Sequence, residues 1–327
     1  FSSKYFMTMK EKMLFTGCGT ALVTPFRDGD VDFCAFENLV LRQLEAGIHF
    51  LLPLGTTGEA PCLENDEKLQ LLVRCREIVE AHELAGGKKT PLLVGAGTNS
   101  LRQTVRNIEF FSPHGADAFL IVVPYYNRPT QRGQYEYFKA VAESTDKPIV
   151  IYNVPGRTGA NMESETCLKL AHELPNIVAV KEASGKYAQV AEVVAGAPEG
   201  FSVLSGDDDL TMAFMTAGAK GVISVASNVF PEMMVNFVEA LGAPEICGDE
   251  LGAGELDLKA AKRLYYRLRP FFSACFVESN PIPVKAALSE MGLIANELRL
   301  PLVSAQPSTI ELMRKLVSEL GTPVSGH

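Results

Sequence analysis

Several common chemistries have no footing in this 327-residue chain. Its five histidines form no HxH or HExxH arrangement, which leaves a histidine-built metal site with little support. The glycine run GAGTN at 95–99 lacks the G-x-G-x-x-G spacing of a dinucleotide fold, and no G-x-S-x-G elbow anchors a hydrolase triad. Basic residues are in deficit: 30 Lys and Arg against 39 Asp and Glu give a formal net charge of −9. That balance leaves no basic face for nucleic acid. No apolar run reaches the ~18 residues of a membrane span. The seven cysteines are odd in number and include no CxxC, so we expect a reduced, cytoplasmic setting with buried, inert thiols. Residues 1–13, FSSKYFMTMKEKM, lack a long apolar core and are expected to form a short arm, not a targeting device.

What is present is ample core material, 47% hydrophobic against 21% charged, enough for one large domain or two ordinary ones. From Gly17 onward one unit recurs: an apolar run, a polar or glycine-bearing loop, then an amphipathic helical stretch. The runs are CGTALVTPF, HFLLPLG, PLLVGAG, ADAFLIVVP, KPIVIYN, NIVAVKE, FSVLSG and GVISVA, with helices expected near 32–47, 64–84, 100–112, 131–144, 163–173, 188–195, 209–217 and 231–241. About eight strand–helix units over ~225 residues predict an α/β protein, a (β/α)8 TIM barrel over residues 14–242. A doubly wound open sheet is the competing arrangement. Beyond a Gly/Ala-rich patch at 242–254, helices near 255–274, 283–291 and 308–320 predict a C-terminal helical appendix over 243–327.

Barrel enzymes carry their chemistry on the loops that follow the strands. The stretch NIVAVKEASG (176–185) delivers Lys181 there at the end of a short β-branched run. Burial pushes a lysine toward the neutral, nucleophilic amine, which makes Lys181 a candidate imine former. A lysine so placed can also snorkel to solvent or pair with Glu182. GTTGE (55–59) offers Thr56 and Thr57 hydroxyls and free backbone N–H groups for a small carboxylate, or else a turn that caps the next helix. PYYNRP (124–129) and IYNVPGRTG (151–159) add the phenols of Tyr125, Tyr126 and Tyr152 and the guanidinium of Arg157, suited to a second carboxylate. Together these describe a Schiff-base lyase or synthase acting on a 2-oxo acid. The aspartates of SGDDDL (205–210) are expected to cap a helix, with a Mg²⁺ site as the lesser alternative.

GTTGE, PYYNRP, YNVPGRTG, VKEASG, LSGDD, GVISVASN and FVESNPIPVK, in this order between Phe15 and about Leu302, resemble the pyruvate-dependent class I aldolase family of dihydrodipicolinate synthase and N-acetylneuraminate lyase. The resemblance implies a lyase of lysine and diaminopimelate biosynthesis that condenses pyruvate with L-aspartate 4-semialdehyde and needs no metal or organic cofactor. It implies that Lys181 forms the imine, that Tyr152 gives and takes protons, and that Thr56 and Tyr126 complete a relay to solvent. Thr57 would hold the pyruvate carboxylate, Ile223 and Gly206 would border the substrate, and Arg157 would receive the carboxylate of the aldehyde. The usual assembly is a homotetramer of two tight dimers, with the tyrosine matching Tyr126 acting across a subunit interface. Relatives with other aldehyde partners make a 2-keto-3-deoxy sugar acid or N-acetylneuraminate the alternative substrate, and a non-catalytic pyruvate-binding regulator is the alternative of another class. Members inhibited by lysine hold it with histidines, an asparagine, a glutamate and a tyrosine. Asn99 and Tyr125 fit that set, but Lys68 and Asn65 stand in place of histidines and Gln103 in place of the glutamate. Weak or absent lysine feedback is therefore expected.

Overall fold

A computed structural model describes residues 15–243, 245–247, 250–252 and 254–321. The expected arm at 1–13 and the end of the chain from residue 322 lie outside the described residues. Strand β1 (Gly17–Ala21) leads through a small antiparallel hairpin, β2 (Phe26–Arg27) and β3 (Asp30–Val31), to helix α1 (Phe33–Glu45). The alternation then continues as β4 (Phe50–Leu52), α2 (Asn65–Leu84), β5 (Leu93–Gly95), α3 (Leu101–Phe111), β6 (Ala118–Val122) and α4 (Gln131–Glu143). Next come β7 (Ile149–Asn153), the single turn α5 (Pro155–Thr158), α6 (Ser164–Glu173), β8 (Ile177–Glu182), α7 (Tyr187–Gly196), β9 (Ser202–Ser205), α8 (Thr211–Thr216), β10 (Gly221–Ser224) and α9 (Pro231–Ala240).

Eight of these strands pair in parallel in the order β4-β1-β10-β9-β8-β7-β6-β5. The two ends meet through a parallel bridge between Leu51 and Leu92 and the bond from the Gly95 amide to the Pro53 carbonyl, 3.1 Å. The sheet therefore closes on itself as a (β/α)8 barrel, and the open doubly wound sheet is set aside. Apolar side chains divide into two layers. One, including Ile149, Ile151, Val180 and Val203, lies between strands and helices. The other, including Phe50, Leu120, Val150, Tyr152, Leu204 and Ile223, fills the barrel interior. Alternation along each strand produces this division, since successive side chains point to opposite faces.

Strand β8 departs from strict alternation, and the departure decides the chemistry. Ile149 pairs with Ile177, but Val150 pairs with Ala179, a register shift of one residue. Val178 and Ala179 consequently both join the interior layer. Unbroken alternation from the outward Ile177 would turn Lys181 toward the helices. The extra residue reverses the parity and sets Lys181 beside Tyr152, its register partner on β7.

The chain continues through an unexpected hairpin, β11 (Glu245–Cys247) and β12 (Glu250–Gly252), within the Gly/Ala-rich patch. Helices α10 (Leu258–Ala274), α11 (Ile282–Glu290) and α12 (Pro307–Gly321) follow, close to the three expected segments. Two other expectations need correction. The aspartates of SGDDDL do not cap α8, which begins without a side-chain cap. Asp208 instead accepts the Val225 and Ala226 amides at 3.0 and 2.9 Å, while Asp209 accepts the Tyr265 hydroxyl at 2.9 Å. Four of the six described cysteines are buried, but Cys34 is exposed and Cys62 half-buried. Among the described residues no helix is long and apolar enough to cross a membrane.

Candidate active site

The loops after β4, β5, β6, β7, β8 and β9 border one cavity of about 510 Å³. Lys181 lines it near the end of β8 at 7% exposure, its Nζ 4.3 Å from the centre of the Tyr152 ring. Burial pulls its pKa from 10.5 down to about 7, with the Asp208 carboxylate acting against that fall and the Arg157 guanidinium adding to it. Pairing with Glu182 does not occur. Glu182 lies on the opposite face of the strand, where its carboxylate accepts Asn153 Nδ2 at 3.1 and 3.2 Å, Gln189 Nε2 at 2.9 Å and the Ser184 amide at 2.7 Å. The ammonium thus has one environment, a mostly apolar barrel mouth, and pays its desolvation there without a bonded carboxylate.

Tyr152 is buried, and burial raises its phenol pKa against the opposing effects of Arg157 and of a hydrogen bond with Thr56. Thr56 itself reaches solvent. The buried Tyr152 phenol is thereby joined to a hydroxyl on a residue that solvent reaches. Thr57 is buried, and its Oγ1 accepts Asn280 Nδ2 at 2.9 Å. With that acceptor role filled, its own O–H is left to donate to an anion in the cavity. Arg157, on the turn α5, is exposed and donates through Nη2 to the Asn280 carbonyl at 3.3 Å. Gly206 follows β9, the strand next to β8: a Cβ there would come 2.7 Å from Ala183 Cβ and 3.2 Å from Lys181 Cε. Only glycine leaves the lysine stem its room.

The remaining candidates are placed less centrally. Ile223 is buried in the barrel interior and is not among the residues lining the cavity. Tyr126 also does not line it; the residue is 89% exposed, on a left-handed backbone with φ 71°. Tyr125 and Lys68 border the same cavity, and burial lowers the Lys68 pKa. Asn99 donates to the Tyr125 carbonyl at 3.3 Å, and the exposed Gln103 donates to Asn107 Oδ1 at 2.9 Å. The residue that sequence reasoning missed is Asn280. It is buried, touches both Thr57 and Arg157, and keeps Oδ1 unpartnered at the cavity. FVESNPIPVK drew attention as a block, but nothing in its composition singles out this asparagine.

A closed (β/α)8 barrel with a desolvated lysine, a buried phenol and hydroxyl donors at its mouth defines an enzyme, a lyase of the Schiff-base-forming class I aldolase type. A sequence profile of the dihydrodipicolinate synthetase family matches residues 14–320. The chain is 45% identical over 311 residues to the 4-hydroxy-tetrahydrodipicolinate synthase of Thermotoga maritima, covering 94% of this chain and 99% of that protein. It is likewise 45% identical over 311 residues to the synthase of that name from Koribacter versatilis, covering 94% and 97%. The crystal structure of the Thermotoga maritima dihydrodipicolinate synthase superposes with a TM-score of 0.86 at 44% identity, over 94% of this chain and 99% of that one. A dihydrodipicolinate synthase from Acinetobacter baumannii, solved in complex with pyruvate, gives a TM-score of 0.85 at 36% identity, over 94% and 99%. The chain belongs to the dihydrodipicolinate synthetase family.

Proposed function

We propose that this chain catalyses the 4-hydroxy-tetrahydrodipicolinate synthase reaction, condensing pyruvate with L-aspartate 4-semialdehyde through an imine on Lys181. The carrying observation is the Lys181 amine, buried beside Tyr152 with its pKa near 7. About half of such amines are neutral at pH 7, a state an exposed lysine reaches only near pH 10. The neutral Nζ attacks the ketone carbon of pyruvate, and loss of water leaves a protonated imine. That imine draws electrons from the methyl group, so a methyl proton leaves and an enamine forms. The enamine carbon attacks the aldehyde, whose oxygen takes a proton. The substrate amine then attacks the imine carbon, closing the ring and freeing Lys181.

Tyr152 carries these protons, passing them through Thr56 to solvent, with Tyr126 completing the relay from a neighbouring subunit. Thr57 binds the pyruvate carboxylate and Arg157 that of the aldehyde, while Gly206 and the Ile223 backbone border the keto acid. We assign residues 14–242 to the catalytic barrel and 243–327 to a C-terminal helical region. The assembly is taken to be a homotetramer of two dimers in the cytoplasm. The pyruvate complex of the Acinetobacter relative supports the choice of keto acid. Incubation with pyruvate, borohydride reduction and peptide mass spectrometry tests the imine: the adduct is expected on the Lys181 peptide, and its absence there sinks the mechanism. Turnover of aspartate semialdehyde, but not of N-acetylneuraminate or 2-keto-3-deoxy sugar acids, tests the choice of aldehyde.

A further inference from the structure

A second buried lysine reaches the GTTGE loop. Lys285, on α11, is fully buried, with Nζ 2.6 Å from Glu59 Oε1 and 2.8 Å from the Thr24 carbonyl. Glu59 is the last residue of GTTGE, and its other oxygen accepts the Arg299 amide at 3.1 Å. Its backbone is left-handed at φ 52°, a conformation that a glutamate keeps only when its surroundings fix it. The Glu59 amide donates to the Thr56 carbonyl at 3.1 Å, and Thr24 Oγ1 donates to the Gly58 carbonyl at 2.7 Å. The same segment that carries Lys285 also carries Asn280, whose amide donates to Thr57. The loop is thus held at its middle by Asn280, in the turn before α11, and at its end by Lys285 on α11 itself.

We propose that Lys285 and Glu59 are positioning residues: their ion pair clasps the GTTGE loop to α11 and fixes the Thr56 and Thr57 hydroxyls for pyruvate. This deepens the imine mechanism and rests on it. Lys285 is not a second nucleophile, since its three N–H donors face Glu59, Thr24 and the ring of Phe26, 4.3 Å away, and no atom of it borders the cavity. Nor does the pair need stability as its purpose. Buried ion pairs replaced together by apolar groups of similar volume commonly lose little stability, whereas removing one partner costs much. What an uncharged pair cannot reproduce is the bond from the Lys285 ammonium that ties α11 to both Glu59 and the Thr24 carbonyl.

That difference sets the test. In the wild-type full chain, pyruvate and borohydride must first give the Lys181 adduct; failure here overturns the imine itself and is distinct from failure of the clasp. Lys285→Met alone is expected to lower Tm by roughly 5–15 °C, because it strands the Glu59 charge. The double variant Glu59→Gln/Lys285→Met is expected to regain most of that. Its half-saturating pyruvate in the trapping assay should nevertheless rise by about threefold or more, as expected for a weakened hydrogen bond to carboxylate, while the saturating yield of adduct is kept. A rise below that threshold in a folded double variant overturns the clasp. If the double variant does not fold, Glu59→Asp, which keeps the charge and shortens the arm by one methylene, is decided by the same threshold.

Discussion

At the scale of single residues, the cost of readying Lys181 is itself measurable. Its folded pKa of about 7 lies below the unfolded 10.5. The unfolded chain therefore binds more protons between those values, and the folded state is penalised. The penalty is full below about pH 7 and is relieved as pH rises through 10.5. Its size is on the order of 5 kcal/mol. Lys181→Met should thus be more stable than the wild type at pH 7, with the advantage shrinking toward pH 10.5; equal stability across that range in urea titrations would contradict this account of the burial. The same pKa places the acid limb of kcat/KM for pyruvate near pH 7, activity rising with pH as the amine is freed. Tyr152→Phe keeps the ring against Lys181 and removes only the proton carrier. It should lower kcat by roughly 10²–10⁴-fold in a steady-state assay, with pyruvate still trapped on Lys181.

At the scale of elements, the loop after β9 and the register of β8 act on the same side chain. Gly206→Ala would press a methyl within 3.2 Å of Lys181 Cε and 2.7 Å of Ala183 Cβ, so something must move. The nearest movable group is the nucleophile's own stem. We expect slower Lys181 adduct formation with Tm little changed, read by trapping kinetics alongside thermal melts. A variant that traps at the wild-type rate would show that the wall yields elsewhere. The β8 shift explains why one strand can present Val180 to the helices and Lys181 to the cavity while Glu182 anchors α7 through Gln189. Two buried charges on neighbouring residues then have separate surroundings.

At the scale of the whole molecule, the cavity joins the reaction centre to the region of Lys68, Tyr125 and Thr98. Lys68 stands there, while the exposed Gln103, hydrogen-bonded to the lining Asn107, is the neutral residue where the family resemblance would put a carboxylate. A cationic effector would meet the Lys68 ammonium there, a repulsion that the nearby Glu64 and Glu67 carboxylates offset only in part. Lysine should therefore inhibit weakly or not at all; half-inhibition at sub-millimolar lysine in a steady-state assay would contradict this. Tyr126, exposed as a residue, belongs to this scale as well. It does not line the cavity of the single chain, so the relay role proposed for it requires a neighbouring subunit.

The sequence by itself determined the barrel and most of the candidate site. Eight repeats of apolar run and amphipathic helix fit a barrel best in number and length, and the side chains that end those runs then meet at one rim. The closure that excludes an open sheet is a tertiary contact. Local pattern carries that information because strand period and helix period are properties of neighbouring residues. The tertiary structure decided the rest. The direction of Lys181 depends on a one-residue shift against β7, and the burial that lowers its pKa comes from strands distant in sequence. Asn280 and Lys285 reach GTTGE across 223 and 226 residues, a contact no local period can encode. The lysine in IPVK ends an apolar run much as the one in VAVK does. Folding sets a bonded carboxylate, that of Glu59, against Lys285, whereas Lys181 has only the charge of Asp208 acting on it without an ion pair, and no local pattern foretells that difference.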